Sequence, residues 1–309
     1  MAVRDLAGGT SRLVTKNVEW ASTGGWNEES IISPDNKQIA YHWCDEKSDG
    51  FFDLRIIDMD GSNMRILHHD AEMPWARPFD WSPDGKELLV HFGQKDKLQQ
   101  LGLVSVSDGS FRIIKSWNGR RWPQMASFSP DGRYVAYDLG PEGDLAQKNI
   151  FVIDIERGLQ TPIIEHPSRN ELAGWTPDGT RILFISDRTS KRALWMIDVN
   201  GGRPGQSPVL LKTEFEGRPT GITPDGALYS VIVTTANNVH FAQLDAKRVH
   251  IVGQPKIAST RFVDSASLSD WSPDGKYLAY RVGPRSDPFG PGPWRFVIQT
   301  VRTPEKSAS

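Results

Sequence analysis

Short runs of aliphatic, β-branched and aromatic residues follow one another along the chain, broken at close intervals by turn residues. Pro78 to Trp81 leads into one turn, and Lys86 to Phe92 leaves it with apolar Leu88, Leu89 and Val90. Leu101 to Ser107 follows, and Ser110 to Ile114 comes after the Asp108-Gly109 turn. Runs of this kind, bounded by Gly, Pro, Asn and Asp, predict β-strands. No stretch carries a 3.6-residue apolar period closed by helix caps, so the expected class is all-β.

One turn orders these strands. It reads Ser33-Pro34-Asp35-Asn36, Ser82-Pro83-Asp84-Gly85, Ser129-Pro130-Asp131-Gly132, Thr176-Pro177-Asp178-Gly179, Thr223-Pro224-Asp225-Gly226 and Ser272-Pro273-Asp274-Gly275. From proline to proline the steps are 49, 47, 47, 47 and 49 residues. Proline pre-sets φ for the first central position of a type I turn, aspartate suits the second, and glycine or asparagine takes the left-handed position that follows. The Ser or Thr hydroxyl bonds the local backbone, which makes the turn a structural device.

A period near this length with four strands per repeat is the signature of a β-propeller. The expected fold is six four-stranded antiparallel blades in a single domain, residues 1–309. The large apolar residue before each Ser/Thr-Pro (Ile32, Trp81, Phe128, Trp175, Ile222 and Trp271) is expected to pack one blade on the next. Asp58, Asp154 and Asp198 close third strands and are expected to bond the following turn. Ser11 to Lys16 reads as a fourth strand without a first or second. Ser267 to Tyr280 and Arg295 to Val301 supply three strands without a fourth. The N-terminal strand is therefore expected to join the C-terminal blade, closing the ring and removing two sheet edges. Residues 2–5 read as a remnant of third strand, which points to a chain cut from a longer repeat protein.

Composition changes this picture little. With 36 basic and 38 acidic side chains and a net charge of −2, no global field favours nucleic acid or an anionic membrane. Cys44 is the single cysteine, which leaves no internal disulfide framework and no multi-cysteine metal site. The N-terminus lacks the pattern of a secretory signal and no apolar run reaches membrane-spanning length. A soluble, monomeric, cytoplasmic protein is expected, or a periplasmic one if the chain is part of a longer precursor.

Trp81-Ser-Pro-Asp-Gly-Lys86 and Trp271-Ser-Pro-Asp-Gly-Lys276 resemble the TolB-type β-propeller repeat, the Pro-Asp variety of WD-like repeat. The fourth copy extends the likeness from Thr176 to Arg188 and from Leu194 to Gly202. The resemblance covers all six repeats. It implies a propeller fold and, among relatives, a periplasmic protein that binds a lipoprotein, sensor and scaffold domains, non-catalytic propellers of peptidases, and oligogalacturonate lyases.

Binding is expected on the face that carries the links between blades, where loops vary on a rigid scaffold. Arginine beside tryptophan grips a carboxylate and offers an aromatic platform. The candidates are Trp26, Trp75, Arg77, Arg121, Trp122, Arg169 and Arg218. The competing reading pairs these arginines with Glu28, Glu29, Glu72, Glu171 and Glu216. Asp80 and Asp270, with Ser127, are placed in the central channel as a possible water or cation site. The acidic hairpin from Asp45 to Asp53 lacks the EF-hand spacing and reads as a solvated loop. His68-His69 would face opposite sides of a strand, no His-x-His or His-Glu-x-x-His is present, and no Gly-x-Ser-x-Gly elbow or phosphate loop occurs. No catalytic residue, metal or cofactor is assigned. The expected function is a non-catalytic scaffold for a protein partner or an acidic, carbohydrate-like ligand. The alternatives are an enzyme acting on an acidic saccharide, or a sensor domain cut from a larger signalling protein.

Overall fold

The computed structural model describes residues 2–4, 11–14, 25–45, 52–119, 121–142, 144, 147–223, 226–231, 240–245, 250–257, 266–271, 277–282 and 295–300, with side chains for Val14 and within 29–230. All described regular structure is strand. The chain forms two compact units, residues 1–215 with 219–229, and residues 216–218 with 230–309.

In the first unit, β1 (Ala2–Arg4) and β2 (Ser11–Leu13) form an antiparallel pair. β3 (Gly25–Ile32), β4 (Gln38–Asp45), β5 (Phe52–Asp58) and β6 (Arg65–His68) form the first four-stranded sheet. The second holds β7 (Trp75–Trp81), β8 (Glu87–Gly93), β9 (Gln99–Ser105) and β10 (Phe111–Trp117). The third holds β11 (Ala126–Phe128), β12 (Tyr134–Leu139), β13 (Asn149–Asp154) and β14 (Leu159–Ile164). In the fourth, β15 (Asn170–Trp175), β16 (Arg181–Ser186) and β17 (Ala193–Asn200) are followed by an outer strand in two pieces, β18 (Arg203–Pro204) and β19 (Val209–Lys212). Each is an antiparallel meander, as the repeat pattern predicts. β20 (Arg218–Ile222) pairs with β21 (Leu228–Val231). The second unit holds the pair β22 (His240–Asp245) and β23 (His250–Ile257), and the sheet β24 (Ala266–Trp271), β25 (Tyr277–Val282) and β26 (Arg295–Thr300).

The proline turns have the expected conformation where they are described. Asn36 sits at φ 59°, and Gly85, Gly132 and Gly179 at 71°, 71° and 68°. In each, the Ser or Thr hydroxyl donates to the turn aspartate (2.7 Å from Ser33 to Asp35), and the same aspartate accepts the backbone N–H two residues on. These hydrogen bonds pull the carboxyls of Asp35 and Asp84 below the usual range and that of Asp178 to about 2. The turn aspartates are thus occupied by their own loop. The turn at 272–275 lies outside the described residues.

The core lies between sheets. Trp81 packs among Ala40, Leu54 and Ile56 of the preceding sheet, and its indole N–H donates to the Ile31 carbonyl at 3.3 Å. Phe128 joins Leu89, Leu101 and Leu103, and Trp175 joins Ala136, Ile150 and Val152. Removing such a side chain from a core costs about 3–5 kcal/mol. Ile32 departs from this pattern and is 49% exposed, because no described inner strand precedes it. Ile222 is half-buried, and the Trp271 side chain lies outside the described residues. Asp58 accepts from Asn63 and Asp154 from the Arg157 backbone, both in the following turn, whereas Asp198 pairs across the sheet with Arg181 at 2.9 Å.

Val14 is buried against Ile39, Tyr41 and Ile57 of the first sheet. A Cβ on Gly61 would fall 2.4 Å from the Val14 carbonyl oxygen, and one on Gly109 would fall 2.4 Å from that of Leu67 on β6. Both glycines have positive φ, 88° and 74°, in the turn between third and fourth strands. Val14 thus takes against the first sheet the place that Leu67 takes against the second.

Candidate functional site

The link-region arginines fall into two groups. Arg77, on β7, sets its Nε against the Glu29 carboxylate, donates to the Gln124 carbonyl at 3.3 Å and lies 4.6 Å from the Phe79 ring centroid. Arg169 donates to Glu171 at 2.6 Å, and Arg192 takes the other oxygen of the same carboxylate. Burial alone would raise the Glu171 carboxyl, but Arg169, Arg192 and Lys148 outweigh it and hold it below the usual range. Glu72 meets Lys95 at 3.6 Å. Arg121 has no carboxylate partner among the described residues. Its Nη1 reaches the Gly140 carbonyl at 3.4 Å, and its Nε is buried without a hydrogen-bond partner.

The tryptophans also divide. Trp75 is half-buried, with its ring 5.1 Å from His42 and 4.5 Å from Phe52, so its faces are engaged in packing. Trp122, beside Arg121, is 42% exposed. Trp26 lies on β3 opposite Cys44, but its side chain is outside the described residues. Arg218 is exposed on β20 and belongs to the second unit.

Arg121 lines a cavity of about 390 Å³ between the second and third sheets. Lys115 and Trp117 reach it from the end of β10, Tyr137 and Leu139 from β12, Phe151 from β13 and Gln160 from β14, with Glu142 in the loop after β12. A register shift between Ile113 and Lys115 marks a bulge in β10, a feature that re-aims the residues that follow it. Trp117 and Tyr137 stack with centroids 6.2 Å apart and planes at 8°, and Phe151 continues the stack at 5.5 Å and 28°. The Trp117 indole N–H donates to the Arg121 carbonyl. The Tyr137 hydroxyl donates to Gln160 Oε1 at 2.8 Å, and burial raises its pKa further above the ordinary value. The result is an aromatic wall with two cations at its edge.

The buried charges deeper in the sheets have partners. Asp80 Oδ1 accepts the Trp81 N–H and Oδ2 the Phe128 N–H, both at 2.9 Å, so this carboxylate joins two neighbouring inner strands. Burial outweighs those donors and raises its pKa to about 7. Asp138 accepts from Gln124 N at 2.7 Å, Met125 N at 3.3 Å and Leu172 N at 3.3 Å, with Lys148 Nζ at 3.8 Å. Burial raises its pKa also. Asp138 raised beside Glu171 lowered is the arrangement an acid–base pair requires, but here both carboxylates are filled by N–H donors. Ser127 keeps a buried hydroxyl without a hydrogen-bond partner among the described residues, and the Asp270 side chain lies outside them. Residues 46–51 of the acidic hairpin are likewise outside. Among the described residues, no group of three or more His, Cys, Asp or Glu is placed to share a metal ion.

Residues 36–289 match the model of the TolB beta propeller domain. The chain belongs to the TolB beta-propeller family. Its sheets are blades, and the all-β propeller class read from the repeats is the one the family has. The chain is 28% identical over 152 residues to dipeptidyl-peptidase 5 of Porphyromonas gingivalis, covering 44% of this chain and 22% of that protein. It is 23% identical over 221 residues to an oligogalacturonide lyase of Pectobacterium atrosepticum, covering 63% of this chain and 54% of that one. The solved oligogalacturonate lyase of Vibrio parahaemolyticus superposes with a TM-score of 0.55 at 13% identity, covering 91% of this chain and 79% of that one, which is a likeness of fold. No described helix is long and apolar enough to cross a membrane.

In this TolB-family chain, the residues around Arg121 were not singled out by sequence. Lys115, Trp117, Tyr137, Phe151 and Gln160 come from four strands, and only their pairing in space brings them together. The available signal was the aromatic and basic ending of the Lys115-Ser116-Trp117 strand just before Arg121.

Two buried histidines give the blades a pH dependence. Burial lowers His42 and His91 to about 4, and His91 Nε2 meets Gln99 Oε1 at 2.7 Å. Unfolding releases both to protonate near 6.5, so their contribution is complete above that pH and is lost as pH falls toward 4. Asp80 runs the other way, losing stability as pH rises from 3.8 to about 7. Comparing His91→Leu with the natural chain isolates one histidine. The variant's melting temperature should fall less between pH 7 and pH 5; equal falls would refute a neutral, buried His91.

Proposed function

We propose that this chain is a non-catalytic binding module that takes its partner or ligand on the link face of the propeller, around the Arg121 cleft. The observation that carries the proposal is the contrast in charge. Asp80, Asp138 and Glu171 are committed to backbone N–H groups or arginines, whereas Lys115 and Arg121 line a cavity and form no ion pair among the described residues. Glu142 also lines the cavity, so two cations stand there with one carboxylate, a balance suited to holding an anion rather than to moving protons. The similarity to a dipeptidyl-peptidase over 22% of that protein's length supports a propeller used as an accessory domain.

The second reading, an enzyme acting on an acidic saccharide, is favoured by the similarity to an oligogalacturonide lyase. A thermal-shift screen of peptides and oligogalacturonides, with mass spectrometry of the saccharides after incubation, separates the two. The binding reading expects a ligand that raises the melting temperature and is recovered intact. Recovery of shortened saccharides would sink it.

The six repeats are part of the same proposal: one ring, with residues 11–14 as the outer strand of the blade before the first. Its support is the matched placement of Val14 against Gly61 and Leu67 against Gly109. Removing residues 1–17 should lower the melting temperature sharply; a chain that melts unchanged contradicts closure by this strand.

A further inference from the structure

We infer that the cleft between the second and third blades is a monocarboxylate site, built for an anion carried on a flat, ring-sized apolar body. The inference rests on the binding reading above and names the ligand chemistry of the same face. Three link-region arginines of the first unit can be compared directly. Arg77 meets Glu29 and Arg169 meets Glu171. Arg121 alone of these three has no carboxylate partner among the described residues. Its guanidinium lines the cavity with one long contact, from Nη1 to the Gly140 carbonyl at 3.4 Å, and a ligand carboxylate supplies two oxygens in the geometry that guanidinium prefers.

The rest of the cavity narrows the ligand. Lys115 adds a second cation without an ion pair among the described residues, and Glu142 on the lining opposes a second negative charge on the ligand. The balance of two cations and one carboxylate suits a single negative charge. The Trp117, Tyr137 and Phe151 column offers a wall on which a planar ring continues the stack. The Tyr137 hydroxyl occupies Gln160 Oε1, which orients the amide with its Nε2 hydrogens left to donate. A volume of about 390 Å³ falls within the range of small-molecule sites. Phosphate lacks the apolar body, and a uronate carries a rim of hydroxyls for which a wall of three aromatic side chains offers few hydrogen-bond partners. Two sources share the favoured chemistry: a free arylalkyl carboxylate and the terminal residue of a peptide.

The test is calorimetric titration of the intact chain with phenylacetate, N-acetyl-phenylalanine, N-acetyl-phenylalaninamide, glucuronate and inorganic phosphate. One or both of the apolar carboxylates should bind, with the amide weaker by about tenfold or more, the scale of a lost charge-assisted pair. Tighter phenylacetate identifies a free carboxylate as the source, and tighter N-acetyl-phenylalanine a peptide terminus. Arg121→Met should weaken binding by a similar factor while leaving the fold intact, because Trp117 is held by the Arg121 carbonyl and not by its side chain. Lys115→Met provides an independent variant should Arg121→Met melt early, and should also weaken the carboxylates. The inference is overturned if the amide binds as tightly as the acid, if glucuronate or phosphate binds as tightly as the apolar carboxylates, if both variants bind like the natural chain, or if no carboxylate binds. A ligand from the thermal-shift screen that is not an apolar carboxylate but loses affinity in both variants would leave the binding reading standing and remove this one; a ligand that keeps its affinity in both would remove the Arg121 cleft from both readings.

Discussion

The first unit depends on one kind of contact: a buried carboxylate that accepts backbone N–H groups from two neighbouring blades. A blade is a twisted sheet complete in its own ladders, and little in those ladders fixes where the next blade sits. Asp80 joins Trp81 of the second blade to Phe128 of the third, and Asp138 joins Gln124 and Met125 of the third to Leu172 of the fourth. A carboxylate held in low dielectric is costly unless it is hydrogen-bonded, and here backbone donors from both sides repay part of that cost. Around these contacts, Trp81, Phe128 and Trp175 each bury an aromatic ring against the blade before. Direction comes from the hydrogen bonds, and the bulk of the stabilisation from the rings.

That division of labour decides what remains for function. Carboxylates spent on holding blades cannot also serve as free acids or bases, and arginines spent on carboxylates cannot grip a ligand. Among the described residues, the cleft at the seam between the second and third blades offers two cations, one carboxylate and an aromatic wall. The same seam contains the hydrophobic cluster that packs those blades, so the cleft has a rigid floor of Tyr137 and Leu139. A site on such a floor keeps its geometry without needing a moving loop.

The fold was legible because its signals are local. Proline, aspartate and glycine in one turn set the hairpin, and Trp81, Phe128 and Trp175, each just before its Ser or Thr, mark the packing face. The site was only partly legible, for the opposite reason. Arg121 stood out by its place in a link, but so did Arg77 and Arg169, and nothing in the sequence says that Glu29 and Glu171 take those two. Asp80 looked like a channel ligand because its spacing from Ser82 places it on the inner strand. Its true partner, the Phe128 N–H, is 48 residues away. Tyr137 and Gln160 are ordinary strand residues until β12, β13 and β14 pair and turn them to one side.

Amide hydrogen exchange on Asp138→Ala tests the central claim most directly. If carboxylates fix one blade to the next, the Leu172 amide should lose protection by about tenfold or more, while the Phe128 amide, held by Asp80, keeps its own. Equal protection of Leu172 in the variant and the natural chain would show that packing alone sets the blades, and would contradict the account.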